Sequence, residues 1–317
     1  MARYLDPKND LTFKLIFCEH PDLLMGFLNA VMPLSPERLI KELEYLPSEQ
    51  VPDIPGKKNS IVDVKCKDKS GRVFIIEMQM LWTDDFMKRL VFNAGKAYVR
   101  QLDKDKSYHL LQPVYSLAIL NENYDHQTDQ FYHHYSIVNK ENTDEIIEGL
   151  EFVLVELAKF QSERWSERKI ASLWLQFLRD VGEGMTELPE ELVKNEQIRK
   201  AVALCEEGSF TPEQLAAYEA FWDVIRTEKT VREGSLARGH AEGRAEGRAE
   251  GRAEGRAEGE AIGLEKGKAI GDAERIKMQE DVVINSRKAG LSIEIILSIT
   301  GLTSEQIIEI LKRNEME

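Results

Sequence analysis

The sequence predicts an α/β or α+β domain, a mixed sheet flanked by helices, followed by a helical region and a glycine-rich helical tail. Three observations lead to this expectation: apolar residues at helical spacing, short β-branched runs between them, and a four-residue glycine repeat near the C-terminus. The chain has 317 residues, 42% of them hydrophobic, which is enough for one large domain or two ordinary ones.

The first part of the chain, residues 1–160, carries the mixed helix and strand signals. Apolar side chains recur every three or four positions in 11–32 and again in 84–102, so both segments are predicted to be helical. Between them, SIVDVKCKDKSGRVFIIEMQM (60–80) has two β-branched runs around a polar turn, which is typical of a hairpin. Further strands are predicted at 113–120, 131–138 and 150–157.

Residues 161–234 are predicted to be helical. Trp165, Leu173, Trp174 and Phe177 lie along one amphipathic segment. The run Thr211-Pro212-Glu213 is a helix start, with threonine as N-cap and proline at the first helical position.

A glycine occupies every fourth position from Gly239 to Gly271, within a segment taken as 235–275. A lone helix of this composition is weak, because each glycine costs about 0.8–1 kcal/mol relative to alanine. Two interpretations remain open: a helical stalk that packs against another chain, or a flexible, partly helical linker. Residues 276–317 are expected to form a small helical module, with Thr303 and Gln306 in a capping box.

Charge and composition limit the classes of function. The net charge is −14, which disfavours tight non-specific DNA binding but leaves a metal-dependent nuclease open. The sequence shows neither an apolar run long enough to cross a bilayer nor the apolar core of a signal peptide, so a cytoplasmic protein without a membrane partner is expected. The three cysteines are far apart in sequence and are expected to be reduced.

The hairpin contains two acidic residues and an amide, which are depleted in strands. A three-residue loop at Lys69-Ser70-Gly71 pairs the strands so that Asp63 faces Glu77. This register also gathers Val62, Val64 and Cys66 on the opposite, apolar face. Two explanations compete for the facing carboxylates: a solvent-exposed polar face with ion pairs, or a divalent metal held between them.

At this point the sequence resembles a known family. Asp63, followed after thirteen residues by Glu77-Met78-Gln79, is similar to the PD-(D/E)XK nuclease motif with glutamine in place of the last lysine. The opening Asn9-Asp10-Leu11-Thr12-Phe13-Lys14, the run Phe27-Leu28-Asn29-Ala30 and the glycine-rich tail resemble the Rpn family of recombination-promoting, transposase-like nucleases. Val62 stands where the motif name has proline.

The resemblance implies a restriction-endonuclease-like core and Mg²⁺-dependent DNA endonuclease activity, in recombination or in defence against foreign DNA such as phage. Asp63 and Glu77 would hold Mg²⁺ or another divalent cation, with the Met78 carbonyl as third ligand. Gln79 would position the attacking water, without the positive charge of a lysine.

Phosphate contacts are expected on the helix after the hairpin. Arg89, Asn93, Lys96 and Arg100 fall on one stripe of that helix, which predicts either a DNA contact or a solvated face. Asp10 and Lys14 share a face of the first helix and are additional candidates. His133 and His134 are adjacent in a predicted strand, so they should point to opposite faces and serve structural roles.

Two functions are consistent with these features. The first is a metal-dependent DNA endonuclease, which assembles through its C-terminal region as a homo-oligomer, most simply a dimer. A free C-terminal fragment of the same protein could then act as an inhibitor. The alternative is a catalytically degenerate nuclease fold that binds DNA or another protein, since glutamine replaces lysine at position 79.

Overall fold

The computed structural model describes residues 3–50, 60–103, 105–165, 167–183, 185 and 187–315. Within these residues the α-helices are α1 (Asp10–Cys18), α2 (Pro21–Val31), α3 (Phe86–Val99), α4 (Lys169–Asp180), α5 (Glu190–Lys194), α6 (Glu196–Ala203), α7 (Pro212–Lys288), α8 (Ile293–Thr300) and α9 (Ser304–Arg313). The strands are β1 (Leu43–Tyr45), β2 (Glu49–Gln50), β3 (Ser60–Ile61), β4 (Val64–Asp68), β5 (Val73–Gln79), β6 (Val114–Leu120), β7 (Tyr132–Val138) and β8 (Ile146–Glu156).

Six strands form one mixed sheet in the order β1-β4-β5-β6-β8-β7. The β4–β5 and β7–β8 pairs are antiparallel, whereas β5–β6 and β6–β8 are parallel. The central strand β6 is buried along its whole length, as expected for a strand covered on both faces. The predicted mixed sheet flanked by helices is thereby confirmed.

One face of the sheet packs against α1, α2, α4 and α6. Phe17, Phe27 and Trp174 meet at its centre, with ring centroids 4.9 to 5.8 Å apart. Trp174 is completely buried, although it lies in the region 161–234 that follows the predicted nuclease core. Helix α4 therefore contributes to the same hydrophobic core as the sheet.

Helix α3 covers the other face of the sheet. Ala94 and Ala97 pack against Val73 and Ile75, and the small alanine side chains allow the helix to lie close to the strands. A solvent-exposed polar surface was one of the two explanations for this face of the hairpin. That explanation is wrong, because Ile75 is fully buried there.

Two details of the predicted elements need correction. The helical segment 11–32 is two helices, because the chain leaves the α conformation at His20, before Pro21, which disfavours helix in the preceding residue. Val62 does not share a face with Val64 and Cys66; it packs in the cluster under α3. The cause is a break between β3 and β4 at Val62 and Asp63, which interrupts the alternation of side chains.

The chain divides into two compact units, Met1–Arg232 and Glu233–Glu317. In the second unit the glycine repeat is helical and exposed, and a β-carbon added to any of its glycines would meet no described atom within 4 Å. A small cluster of Val283, Ile296 and Ile307 joins the end of α7 to α8 and α9, and the predicted Thr303 capping box is present. No helix in the described residues is both long and apolar enough to cross a membrane.

Candidate active site

The β4–β5 hairpin has the register predicted from its turn. Val64 lies opposite Ile76, and Lys67 lies opposite Val73. Gly71 closes the loop with φ of +88°, a conformation that glycine adopts without steric cost. The turn and the strand pattern therefore agree on one alignment.

Asp68 fixes this turn from inside. Its Oδ1 accepts hydrogen bonds from the backbone N–H groups of Ser70 and Arg72, both at 3.0 Å. Its Oδ2 lies 2.5 Å from Nη2 of Arg72, and both side chains are nearly buried. A buried ion pair reinforced by several hydrogen bonds tolerates little displacement, so the alignment of the two strands is held at the turn.

The same alignment brings Asp63 and Glu77 together at the other end of the hairpin. Oδ2 of Asp63 accepts a hydrogen bond of 2.7 Å from the backbone N–H of Met78. Oε1 of Glu77 accepts a hydrogen bond of 2.9 Å from Nδ2 of Asn93 on α3. Glu77 is only 5% exposed, so it does not belong to a solvated surface, and Asp63 is partly buried.

Gln79 ends β5 with both ends of its side-chain amide bonded. Its Nε2 donates to the carbonyl of Leu81 at 2.5 Å, and its Oε1 accepts from Nη2 of Arg89 at 2.5 Å. The same Nη2 lies 3.7 Å from Oε2 of Glu77, and the guanidinium lies over the ring of Phe86 at 4.9 Å. The motif glutamine and an arginine of α3 thus form one polar group.

Burial shapes the electrostatics of the two carboxyl groups. It raises the pKa of Asp63 to about 6, and the charges of Glu77 and Asp10 also raise it, against the opposing effects of the Met78 N–H and Lys14. Burial likewise raises the pKa of Glu77, and the hydrogen bond from Asn93 opposes this shift. Each group is therefore costly to ionise without a cation nearby.

This donor set fits a divalent cation that prefers oxygen ligands. Carboxylate oxygens are the ligands of Mg²⁺, which commonly takes one or two of them and keeps several waters. Within the described ranges there is no group of three or more His, Cys, Asp or Glu side chains suited to a metal. A cation here would therefore depend on Asp63 and Glu77, together with backbone oxygen or water.

A cleft of about 300 Å³ opens beside these residues. Asp10, Asp63, Met78 and Gln79 line it. Lys14, one turn after Asp10 on α1, lies 2.8 Å from the Asp10 carboxylate, so the additional pair predicted from sequence is at the site as an ion pair. Four of the sequence-predicted site residues thus line one opening.

Apolar or charged residues from distant parts of the chain also line the cleft and were missed by sequence reasoning. They include Lys8, before α1, and Phe221, Ile225 and Glu228 on α7. Phe221 and Glu228 are seven residues apart and so share a helical face, but no spacing rule links that face to a motif more than 140 positions earlier. Only the folded chain brings them together.

The predicted stripe on α3 is divided by the fold. Arg89 lies beside the carboxylates, whereas Asn93 is fully buried and bonded to Glu77, so this member of the stripe lies inside the protein. Lys96 donates to the carbonyl of Gln50 at 2.5 Å and to Ser60 Oγ at 3.2 Å. Arg100 follows the last residue of α3 and is partly exposed.

The adjacent histidines point to opposite faces of β7, as predicted. His133 is buried and lies 2.7 Å from Glu156, whereas His134 is more exposed and lies 2.6 Å from Glu151. The two imidazoles therefore belong to separate hydrogen-bond networks. The three cysteines are free thiols.

A sequence profile described as PD-(D/E)XK nuclease family transposase matches residues 7–232. Neither a search of curated proteins nor a search of solved structures found a significant match. The matched span covers the mixed sheet, the paired carboxylates and the first turns of α7, and it ends at the boundary of the first unit. The chain therefore belongs to the PD-(D/E)XK nuclease family transposases.

Proposed function

We propose that the protein is a divalent-metal-dependent DNA endonuclease that hydrolyses phosphodiester bonds. The observation that carries the proposal is the pair of carboxylates at one end of the β4–β5 hairpin: Asp63, which is partly buried and lines an open cleft, and Glu77, which is buried behind it. Family membership supports a nuclease, and the chemistry of two hard oxygen donors supports a metal-assisted reaction.

In this proposal, Asp63 and Glu77 hold Mg²⁺ or another divalent cation, and the Met78 carbonyl is the predicted third ligand. A bound cation would lower the pKa of a coordinated water and neutralise charge on the phosphate. The protein's own contribution is rigidity: the Met78 N–H and Asn93 fix one oxygen of each carboxylate. The other oxygen of Asp63 can then face a cation, whereas Oε2 of Glu77 also lies 3.7 Å from Nη2 of Arg89.

DNA is the proposed partner, as expected for a nuclease family. Because the chain carries a net charge of −14, its contact with phosphates must be local. Arg89, Lys96 and Arg100 are the proposed contacts along α3. A role in recombination or in defence against foreign DNA follows from the family resemblance and stays a prediction.

A plasmid-nicking assay tests the proposal. Purified protein should nick supercoiled plasmid with Mg²⁺ and not with EDTA, and Asp63→Asn or Glu77→Gln should abolish nicking. Asp84→Asn, which changes an exposed carboxylate just before α3, is the matched control and should nick normally. Normal nicking by the Asp63 variant would show that the site is assigned wrongly.

The alternative is a non-catalytic DNA-binding or protein-interaction module. Two observations favour it: both ends of the Gln79 amide are occupied, and the described residues lack a three-residue group of acidic, histidine or cysteine ligands. A wild-type protein that binds DNA in EDTA but cuts none with Mg²⁺, Mn²⁺ or Ca²⁺ would favour this function over the endonuclease.

The C-terminal unit is proposed to assemble the protein. Its repeat is helical and exposed, and helices so rich in glycine gain stability when small residues allow a partner to approach closely. A dimer would place two sites on one duplex, and a free C-terminal fragment would compete for the same contacts. Light scattering on the full chain, with and without added fragment, measures both effects.

A further inference from the structure

The motif of this chain lacks a positive charge at its third position, because Gln79 is neutral. Hydrolysis adds water across a P–O ester bond: the water oxygen bonds to phosphorus, the ester bond breaks, and the leaving oxygen gains a proton. Negative charge grows on the phosphate oxygens during this step, and a fixed cation at that point lowers the barrier. Apart from a bound cation, a side chain other than Gln79 would have to supply that charge.

Three cationic side chains lie near the paired carboxylates. The Lys8 ammonium is nearly buried and is bonded to Asp6 at 3.0 Å and to the carbonyl of Leu178 at 3.1 Å. The Lys14 ammonium is paired with Asp10 at 2.8 Å. Both ammonium groups therefore have partners that already satisfy their charge.

Arg89 differs in geometry. Its guanidinium carries five N–H donors, and within the described part of the chain its hydrogen bond and its ion pair both use Nη2, toward Gln79 and Glu77. The side chain is 45% exposed, so it is accessible from solvent. The ring of the fully buried Phe86 supports the plane of the guanidinium from below.

Gln79 is well placed to hold this arginine. Leu81 fixes the amide nitrogen, so the amide oxygen points toward Nη2 of Arg89. Lysine in place of Gln79 would put a second cation against the guanidinium and repel it. Glutamine at this position and arginine ten residues later are therefore chemically complementary.

We infer that Arg89 is a catalytic residue that donates hydrogen bonds to the scissile phosphate, and that Gln79 is a positioning residue that acts through it. The inference rests on the proposed endonuclease function. In this inference Gln79 positions Arg89 and not the attacking water. The guanidinium of Arg89 supplies the positive charge that the motif lacks at its third position.

A double-mutant cycle separates these two roles of Gln79. Single-turnover cleavage with Mg²⁺ is measured for Gln79→Ala, Arg89→Gln and the double variant, and DNA affinity is measured in EDTA by fluorescence anisotropy. Arg89→Gln should slow cleavage by roughly 10²-fold or more, with affinity reduced by less than about tenfold, because the residue is also a proposed phosphate contact. The double variant should be no slower than Arg89→Gln alone, because both changes remove one group.

Three further variants keep the test independent of folding. Arg89→Lys preserves the charge and should retain more activity than Arg89→Gln, although it loses the planar donor geometry. Lys88→Gln removes the neighbouring cation, which is exposed and paired with Asp85, and should cleave as the wild type does. Guanidinium ion added at low millimolar concentration should partly restore cleavage by Arg89→Gly and leave Asp63→Asn inactive.

The outcomes separate the proposed role of Arg89 from the proposed endonuclease function. If the wild type cleaves and Arg89→Gln cleaves within about threefold of it, the role of Arg89 is wrong while the endonuclease stands. If the rate losses of the two single variants multiply in the double variant, Gln79 acts independently of Arg89. If Arg89→Gln loses as much affinity as cleavage rate, Arg89 is a binding residue only. A wild type that never cleaves refutes the proposed function itself.

Discussion

Replacing Asp63 by asparagine should stabilise the metal-free protein near neutral pH. Burial, the largest cause, raises the pKa of Asp63 from 3.8 to about 6. Between pH 3.8 and about pH 6, Asp63 is therefore protonated in the folded state and ionised in the unfolded state. Because the folded state binds the extra proton, the free energy of unfolding falls as the pH rises through this range. Above about pH 6, the ionised Asp63 carboxylate lowers the free energy of unfolding by an amount that no longer changes with pH.

The size of the penalty follows from the shift. About two pKa units at about 1.4 kcal/mol each give an upper value of about 3 kcal/mol at about pH 7.5. At about pH 4.5 the folded carboxyl is protonated and the same relation leaves about 1 kcal/mol. Asparagine keeps the oxygen that accepts from the Met78 N–H and carries no charge, so it should recover most of this difference.

Urea denaturation in EDTA at both pH values measures the effect, with Asp84→Asn as the matched control. Asp63→Asn should raise the unfolding free energy by about 2 kcal/mol more at the higher pH than at the lower. The exposed Asp84 should give less than about 0.5 kcal/mol at either pH. A stabilisation that is absent, or equal at both pH values, would refute the burial argument for Asp63.

The same denaturation experiment, with EDTA left out, measures the binding of Mg²⁺ to both proteins. Mg²⁺ added at about pH 7.5 should stabilise the wild type, since a ligand that binds only the folded state raises its stability by mass action. Mg²⁺ should not change the free energy of unfolding of Asp63→Asn. Equal stabilisation of both proteins would mean that the cation binds elsewhere.

Three further predictions follow from the site and the tail. Asn93→Ala should cost about 1–3 kcal/mol, because the buried Glu77 loses its donor, and urea denaturation against the exposed-site variant Lys88→Gln checks this. Neutralising Arg89, Lys96 and Arg100 together should reduce the slope of log affinity against log salt by at most about three, as a salt titration would show; an unchanged slope would make the helix face a solvated surface. Truncation after Arg232 should leave a folded first unit with a lower ratio of measured to monomer mass, and an unchanged ratio in light scattering would contradict the assembly role.

Sequence reasoning succeeds here where local chemistry determines geometry. The loop at 69–71 and the alternation of apolar residues both specify one alignment, so the amino-acid sequence is enough to predict that Asp63 and Glu77 meet. It fails at Val62, because a break in a strand leaves no trace in hydrophobicity. It also places Asn93 on the surface, because helical periodicity classifies a polar residue by its type and not by a buried partner such as Glu77.

The contribution of α7 to the cleft required the folded chain. Phe221 and Glu228 have ordinary helical spacing, and their position beside Gln79 depends on contacts made across most of the first unit. Sequence reasoning also missed the Gln79–Arg89 bond, although both residues are candidates on their own motifs. The nine residues between them include a loop whose path cannot be deduced from periodicity.

The attachment of Tyr218 sets the order in which the site is completed during synthesis. The Tyr218 hydroxyl accepts a hydrogen bond from the backbone N–H of Asp6, and its carbonyl accepts one from Asn9, the N-cap of α1. Partners 212 positions apart can meet only after the ribosome has released the later one. The nascent chain therefore contains Asp63 and Glu77 long before the residues of α7 that line the cleft have been synthesised. The proposed endonuclease activity would then be delayed until translation of the first unit is essentially finished.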